Sequence, residues 1–260
     1  MNKPPLFFIH GMWSRPTVWD WLKARYERQG YKCFAPALPF HGEDARGRGD
    51  TADPLLATIG VQDYVDALTA AAREVGEPPV IVGHSMGGML AQKLAETNGA
   101  AGLALLSPAP TAATGSIALA PLRTTFGITK DLRGKWWKAP TLIDEERARW
   151  GIFNNVPDDV VRQELDALVW DSGRVLYQIS MPWADKTKGT TVDYDKLSMP
   201  AMVVVGELDR ITPVATARAT VRKLPGDTDY HEIQDAGHWL FHDPVRERLA
   251  EHMDAFLARL

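Results

Sequence analysis

The sequence has little of several features that define large classes of proteins. It contains one cysteine, Cys33, which excludes an internal disulfide framework and every metal site built from several cysteines. It has no run of about 18 apolar residues, the length that a membrane-spanning helix needs. The first apolar stretch, Leu6–Ile9, is too short for the core of a signal peptide, and no small-residue cleavage site follows it. We therefore expect a soluble, cytoplasmic protein with no membrane span.

Basic residues are not in excess. The 260 residues include 29 Lys and Arg against 33 Asp and Glu, a formal net charge of −4. No basic cluster is long enough to follow a phosphate backbone, so we expect no nucleic-acid partner. Hydrophobic residues make up 45% and charged residues 24% of the chain, which is typical of a globular protein and not of a disordered or fibrous one. Nothing in the sequence indicates the oligomeric state.

Short apolar runs alternate with longer amphipathic stretches, which is the pattern of βαβ units and a parallel sheet. The predicted strands are Leu6–His10, Lys32–Ala37, Val80–Val82, Leu103–Leu106, Ala201–Val205 and Tyr230–Ile233. The predicted helices that accompany them are Trp19–Gln29, Gly60–Val75, Met86–Glu96, Ala215–Lys223 and Val245–Leu260. The sequence therefore predicts an α/β fold with a doubly wound, mostly parallel sheet of about six strands.

The segment 108–196 interrupts this alternation. It has helix-like stretches at Asp144–Phe153 and Asp158–Val169 but no strand rich in valine or isoleucine. A segment of this length inside a compact domain is not expected to be a structureless loop. We therefore predict that 108–196 forms an inserted helical lid, and that 1–107 and 197–260 together form the core.

The pentapeptide Gly83-His84-Ser85-Met86-Gly87 has the G-x-S-x-G pattern of a nucleophile elbow. A predicted strand precedes it and a predicted helix follows it, as this motif requires. The mechanism needs Ser85 on a sharp, strained turn so that its hydroxyl projects from the sheet, and the glycines let the strand and the helix approach closely. The motif therefore predicts Ser85 as a catalytic nucleophile.

A serine hydroxyl is a weak nucleophile until a base accepts its proton and an acid orients that base. The expected chain order of Ser, Asp or Glu, and His is met by Asp209 after the fifth predicted strand and by His238 after the sixth. Because parallel strands end at one edge of the sheet, we expect these side chains to converge on Ser85. His238 would then act as the base and Asp209 as the orienting acid, with Glu207 as the alternative acid.

Attack on a carbonyl group also needs hydrogen-bond donors for the oxyanion that forms. One expected donor is the backbone N–H of Met86, the residue after the nucleophile. The other is expected from the turn after the first strand, where the best candidate is the backbone N–H of Met12. These two groups make up the predicted oxyanion hole.

The other histidines have simpler interpretations. His10, His41 and His84 are expected to pack and to hydrogen-bond within their turns. His238 and His242 are four residues apart, but the glutamate of the H-E-x-x-H motif and a third ligand are missing, so no metal site is predicted.

Tryptophan is frequent, with nine residues in the chain, five of them in 108–196. This concentration predicts an apolar chamber with aromatic walls over Ser85, which would accept an apolar small molecule. The main candidates for its wall are Trp13, Phe40, Trp136, Trp137, Trp183 and Trp239. Further candidates are Leu119, Leu122, Phe126 and Phe153.

Five motifs in this order and spacing resemble those of the α/β-hydrolase superfamily. They are His10-Gly11, Leu38-Pro39-Phe40-His41-Gly42, Gly83-His84-Ser85-Met86-Gly87-Gly88, Gly206-Glu207-Leu208-Asp209 and Ala236-Gly237-His238. The resemblance covers the chain except for 108–196. Because the chain begins at the strand before His10-Gly11, it is similar to the compact branch that contains plant methylesterases, hydroxynitrile lyases and bacterial carboxylesterases. Phe40 departs from the glycine that many members have at its position.

This resemblance implies a serine hydrolase that needs neither a cofactor nor a metal. Its expected substrate is a small to medium carboxylic ester, thioester or lactone with an apolar portion, cleaved through an acyl-enzyme on Ser85. Serine at the elbow argues against haloalkane dehalogenases and epoxide hydrolases, which carry aspartate there.

Two other functions stay open. One is the cleavage of carbon–carbon bonds on the same triad, by a β-diketone-type hydrolase or a hydroxynitrile lyase. A hydroxynitrile lyase needs a positive group near the histidine, and Gly237–Leu240 contains none. The other is a non-catalytic small-molecule receptor that retains the hydrolase pocket.

Overall fold

A six-stranded parallel sheet lies at the centre of the computed structural model, which describes residues 3–115, 135–226 and 228–260. The strands in chain order are β1 (Leu6–Ile9), β2 (Cys33–Phe34), β3 (Val80–His84), β4 (Gly102–Leu106), β5 (Pro140–Thr141), β6 (Asp171–Ser172), β7 (Ala201–Gly206) and β8 (Thr228–Ile233). The central sheet has the order β2-β1-β3-β4-β7-β8, and every neighbouring pair in it is parallel. The predicted α/β fold with a doubly wound sheet is confirmed.

Helices of the core cover both faces of the sheet, and further helices lie in the segment 108–196. In chain order, all these helices are α1 (Asp20–Arg28), α2 (Val61–Val75), α3 (Met86–Asn98), α4 (Glu145–Arg147), α5 (Asp158–Ala167), α6 (Gly173–Ser180), α7 (Val214–Lys223) and α8 (Val245–Leu257). Shorter helical turns lie at Pro16–Trp19, Pro54–Thr58, Trp136–Lys138, Ala148–Ile152 and Tyr194–Lys196. None of the helices in the three described ranges has the length and apolar character needed to cross a bilayer.

The alternation of side chains along the strands divides the core into two layers. Phe7 and Ile81 face the layer that contains α2, α3 and α7. Phe8 and Val82, one position further along each strand, face the layer that contains α1 and α8. Because both faces of the sheet are covered, its central strands are almost wholly apolar, as parallel sheets require. The polar residues that follow these strands therefore stand at the carboxyl edge, where the candidate site lies.

Some predicted elements differ in detail. The second strand is limited to Cys33–Phe34, because it lies at the edge of the sheet and pairs only with β1. The predicted helix Asp158–Val169 ends at Ala167, because the N–H of Val169 instead donates to the carbonyl oxygen of Trp13 at 2.9 Å. The segment 108–196 is also not purely helical, since β5 and β6 form an antiparallel pair within it.

Candidate active site

Ser85 occupies the turn between β3 and α3. Its φ of 55° and ψ of −122° lie in a region that residues with a side chain rarely adopt, which is the strain expected of a nucleophile elbow. Its N–H donates to the carbonyl oxygen of Leu106 at 3.0 Å, and its own carbonyl oxygen accepts the N–H groups of Gly88 and Ala109 at 2.9 and 2.8 Å. Backbone hydrogen bonds to β4 and to the helix therefore hold the strained turn.

The glycines of the elbow are required by the close approach of three backbone segments. A Cβ atom at Gly83 would lie 2.2 Å from the carbonyl oxygen of Gly87, and one at Gly87 would lie 2.1 Å from that of Ile9. Both neighbours are backbone atoms, which cannot move aside as a flexible side chain does. Any larger residue would therefore push Ser85 away from its position.

Asp209 and His238 form a buried pair beyond the ends of β7 and β8. His238 Nδ1 lies 2.8 Å from Asp209 Oδ2, and both side chains are buried. The other carboxylate oxygen, Oδ1, accepts the backbone N–H groups of Ile211 and Thr212, each at 2.8 Å. The loop after β7 therefore fixes the carboxylate, and the carboxylate fixes one nitrogen of the imidazole.

The charge state of Asp209 follows from these contacts. Burial by itself raises the pKa of Asp209, but the charge of His238 and the hydrogen bonds from His238, Thr212 and Ile211 outweigh it and hold the pKa below its usual value. An ionised carboxylate can only accept, so it keeps the proton of the imidazole on Nδ1 and leaves the Nε2 lone pair as the basic site. The alternative acid, Glu207, is exposed, and its Oε2 accepts the Asp235 N–H at 3.2 Å.

His84 links the elbow to His238. Its Nε2 donates to the carbonyl oxygen of His238 at 3.0 Å, and the two ring centroids are 4.8 Å apart. Burial and the neighbouring His238 lower the pKa of His84 to about 3, so His84 is a neutral donor. Among the residues that the structure describes, no direct hydrogen bond joins the Ser85 hydroxyl to His238. In unliganded enzymes such contacts are often long and tighten only when substrate binds.

The backbone N–H groups of Met12 and Met86, the two predicted oxyanion donors, make no backbone hydrogen bond among the described residues. Met86 is the first residue of α3, a position whose N–H has no partner within its helix. Met12 lies in the turn after β1, which packs against the elbow: a Cβ at Gly11 would be 3.1 Å from Ser85 Cβ. Both groups stay candidates for the predicted oxyanion hole.

Most of the predicted wall residues are buried or half-buried. Trp13, Trp239 and Phe153 lie in one apolar cluster between the segment 108–196 and the core. Trp136 and Trp137 are half-buried and pack edge to face, with ring centroids 6.0 Å apart. These five residues stay candidates for the wall of a substrate pocket.

The remaining candidates have different outcomes. Trp183 lies on the surface, in the turn after α6, with 79% of its area exposed, so we do not keep it as part of a buried chamber. Phe40 is half-buried with a φ of 68°, a conformation that explains why glycine suits its position. Leu119, Leu122 and Phe126 lie outside the described residues.

Two cavities border described residues but contain no member of the predicted triad. One of about 330 Å³ lies beside Trp137, Arg174 and Tyr177. The other, of about 370 Å³, lies beside Phe153 and Arg210.

No metal-binding cluster is formed by the parts of the chain that the structure describes, since no three His, Cys, Asp or Glu side chains are suitably placed. His242, the potential partner of His238, instead places Nδ1 3.0 Å from the carbonyl oxygen of Asp243.

Two residues that the sequence analysis did not predict contact the loops of the site. Asp171 accepts the backbone N–H of Trp13 at 3.0 Å. The side chain of Asn154 donates to the carbonyl oxygen of Leu208, the residue before Asp209, at 2.9 Å. Both residues belong to the segment 108–196, and the only local signal in the sequence is a polar residue beside aromatic ones.

The buried neutral histidines make stability depend on pH. The pKa values of His10 and His84 are both lowered to about 3, and burial of the two rings is the largest cause of this shift. In the unfolded chain the histidine pKa values are near 6.5. Between pH 6.5 and 3 the unfolded chain therefore binds more protons than the folded one, so stability falls as the pH falls through this range. Each histidine should cost about 2 kcal/mol between pH 7 and pH 5.

Urea unfolding of the wild type and of His84→Gln at pH 7 and pH 5 measures this effect. The variant cannot titrate at position 84, so its free energy of unfolding should fall by about 2 kcal/mol less than that of the wild type. His41, whose pKa is raised, acts in the opposite direction but equally in both proteins. An identical loss in the two proteins would show that His84 is not a buried neutral histidine.

The fold and the site together define a class of protein. A parallel sheet with a serine on a strained strand-to-helix turn, and with a histidine–carboxylate pair beyond later strands, is the architecture of the α/β hydrolases. The sequence matches the alpha/beta hydrolase family over residues 6–251. The chain belongs to this family.

Two curated relatives carry names of ester-cleaving enzymes. The chain is 35% identical over 95 residues to a pimeloyl-acyl-carrier-protein methyl ester esterase of Aromatoleum aromaticum, covering 36% of this chain and 32% of that protein. It is 29% identical over 179 residues to the lipase LipV of Mycobacterium tuberculosis, covering 67% of this chain and 61% of that protein. The matched regions thus span less than two thirds of either relative.

A solved structure resembles the fold over its whole length. It is a methylesterase from Arabidopsis, with a TM-score of 0.69, 15% sequence identity, and coverage of 99% of this chain and 100% of that chain. At this identity, the likeness concerns the fold alone.

Proposed function

We propose that the protein is a serine hydrolase that cleaves carboxylic esters through an acyl-enzyme on Ser85. The observation that carries the proposal is the buried contact of 2.8 Å between His238 Nδ1 and Asp209 Oδ2. Because the carboxylate keeps the proton on Nδ1, Nε2 is the atom that takes the Ser85 proton. The strained backbone of Ser85 at the start of α3 supports the role of its hydroxyl as the nucleophile.

In the first half of the reaction, Ser85 Oγ attacks the carbonyl carbon of the ester while His238 Nε2 accepts the hydroxyl proton. The N–H groups of Met12 and Met86 stabilise the negative charge on the carbonyl oxygen. The tetrahedral intermediate then collapses, the bond to the alcohol breaks, and His238 gives its proton to the leaving oxygen. The acyl group is now bound to Ser85.

In the second half, a water molecule attacks the acyl carbon while His238 takes one of its protons. The same N–H groups of Met12 and Met86 hold the second oxyanion. When this intermediate collapses, the carboxylic acid leaves and His238 returns the proton to Ser85 Oγ. Every step uses residues of the chain and water, so the cycle requires no cofactor.

The surroundings of the site favour a substrate with an apolar portion. The aromatic cluster of Trp13, Trp239 and Phe153 joins the turn after β1 to the loop that carries His238. Trp136, from the segment 108–196 that we propose as the lid, packs against this cluster, and Trp137 packs against Trp136. The names of the two curated relatives, an esterase and a lipase, agree with a carboxylic ester as the substrate class.

A substrate panel tests this function. We expect turnover of p-nitrophenyl esters of small to medium acyl chains, with loss of activity as the chain outgrows the pocket, and slower turnover of a vinylogous β-diketone. The measurement is the initial rate of hydrolysis as a function of acyl-chain length, with Ser85→Ala as the inactive control. Faster cleavage of the diketone would favour the carbon–carbon hydrolase. Thermal stabilisation by the compounds without turnover would indicate a receptor.

A further inference from the structure

The carboxylate of Asp171 is buried at the meeting point of four parts of the chain. Its Oδ1 accepts the Tyr64 hydroxyl at 2.7 Å and the Ser172 N–H at 2.6 Å. Its Oδ2 accepts the Trp13 N–H at 3.0 Å and lies 3.1 Å from Nε2 of His41. Asp171 has no exposed surface. The segment 108–196 is thereby joined to α2, to the loop after β2 and to the turn after β1.

Asp171 and His41 form a buried ion pair. Nδ1 of His41 lies 2.8 Å from the carbonyl oxygen of Pro39. Nε2 lies 3.1 Å from Asp171 Oδ2, which is within ion-pair distance but outside hydrogen-bond geometry. Burial is the largest influence on the pKa of His41 and lowers it, and the charge of Arg15 also lowers it. The charge of Asp171 and the contacts of the ring with Asp171 and the Pro39 carbonyl together outweigh these effects and raise the pKa. The remaining titratable neighbour within the turns is His10, with ring centroids 5.2 Å apart, and it is neutral because its pKa is about 3.

The segment 108–196 holds Trp13 at three points. Besides the bond from its N–H to Asp171, the carbonyl oxygen of Trp13 accepts the Val169 N–H at 2.9 Å, and its indole Nε1 donates to the carbonyl oxygen of Thr141 at 3.2 Å. Trp13 needs such support because its φ is 59°, a costly conformation for a residue with a large side chain. Only the φ and ψ rotations of Met12 separate the Trp13 N–H from the Met12 N–H, so fixing one restricts the direction of the other.

We infer that Asp171, paired with His41, is a positioning residue for the oxyanion hole. Its carboxylate holds the Trp13 N–H away from the substrate and thereby aims the N–H of Met12 at the oxyanion. This inference rests on the proposed function of Ser85. It also means that the segment 108–196 supports catalysis through the backbone as well as shaping the substrate pocket.

The variant Asp171→Asn tests the inference, because the amide has the same shape but lacks the charge and one acceptor oxygen. We expect kcat per active site, titrated with a fluorophosphonate, to fall roughly 10- to 100-fold, less than the 10²- to 10³-fold typical when a donor is removed outright. KM should stay within about twofold, since ester binding in the ground state does not use the oxyanion.

The affinity for a trifluoromethyl ketone is a second measurement, and a loss of stability alone would not change it. This inhibitor forms a tetrahedral adduct with Ser85 that presents an oxyanion, so its affinity should weaken by about the same factor as kcat. The matched methyl ketone should bind as it does to the wild type. If Asp171→Asn does not fold, His41→Gln serves instead. It should lower the affinity for the trifluoromethyl ketone about threefold to tenfold.

Tyr64→Phe is the matched control, because it removes a hydrogen bond to Oδ1 and leaves the contact of Oδ2 with Trp13 intact. It should lower stability but keep kcat per active site within about threefold. Unchanged kcat per site and unchanged inhibitor affinity in Asp171→Asn and in His41→Gln would overturn the inference. If Ser85→Ala kept its activity, the proposed function itself would fail, so the two failures are distinguishable.

Discussion

Replacement of Ser85 by alanine will lower kcat by about 10⁶-fold, the size of the loss seen when a serine nucleophile is removed. In the proposed mechanism Ser85 Oγ forms the acyl-enzyme, and Gly83–Gly87 contains no other hydroxyl. The stability should change little, because the turn is held by backbone hydrogen bonds to Leu106, Gly88 and Ala109 that alanine retains. The measurements are ester turnover, labelling with a fluorophosphonate followed by mass spectrometry, and urea unfolding.

Ser107→Ala is a well-matched control for this variant. Ser107 follows β4, is buried, and has a φ of 43°, so it resembles Ser85 in burial and in its positive φ. Its hydroxyl has no hydrogen-bond partner among the described residues, and its replacement should leave turnover within about threefold. Labelling that persists in Ser85→Ala, or disappears in Ser107→Ala, would contradict the assignment of the nucleophile.

Replacement of Asp209 by asparagine will lower kcat by about 10⁴-fold. The amide of asparagine can turn its NH2 group toward His238 Nδ1, which then becomes an acceptor and moves the ring proton to Nε2. In that tautomer His238 cannot take the proton of Ser85, although the geometry of the site is retained. Turnover of a p-nitrophenyl ester measures the loss, and circular dichroism with thermal unfolding establishes that the variant is folded.

Glu207→Gln separates the two carboxylates that follow β7. Glu207 is exposed and contacts the backbone of Asp235, so its neutral variant should retain turnover within about twofold. A large loss of turnover in Glu207→Gln together with a small loss of turnover in Asp209→Asn would show that Glu207, and not Asp209, is the orienting acid. This pair of variants therefore decides between the alternatives that the chain order leaves open.

The elbow was predictable because all of its determinants are local. An apolar strand, two glycines around Ser85 and an amphipathic helix follow one another within about 20 residues, and each has a characteristic period or composition. The positions of Asp209 and His238 were predictable for a related reason, since residues directly after parallel strands meet at one edge of the sheet. The structure brings these two side chains to 2.8 Å, and their convergence on Ser85 stays a prediction.

The sequence analysis assigns Asp209 as the acid with Glu207 as the alternative, but a position directly after a strand does not by itself separate the two. Both are carboxylates just after β7, and the sequence does not indicate which one the loop turns inward. In the structure the N–H groups of Ile211 and Thr212 donate hydrogen bonds to the Asp209 carboxylate, while Glu207 is exposed to solvent. The conformation of a short loop depends on such tertiary hydrogen bonds, which have no periodic signature.

The tryptophan count illustrates the same limit. Composition places five of the nine tryptophans in 108–196, but it does not tell which of them are covered by other parts of the chain. Trp136 and Trp137 pack against each other and Tyr177, whereas Trp183 is 79% exposed. Burial of an aromatic ring depends on distant residues, so it follows from the tertiary structure.

By itself, the sequence determines the parallel sheet and the serine elbow, because strand periodicity and turn chemistry are encoded in neighbouring residues. Only the tertiary structure decides that Asp171 reaches the turn after β1. Asp171 and Trp13 are 158 positions apart, and their contact depends on how the segment 108–196 packs over the sheet. A buried carboxylate is stable only where donors from several elements converge on it, and such convergence is a property of the folded chain.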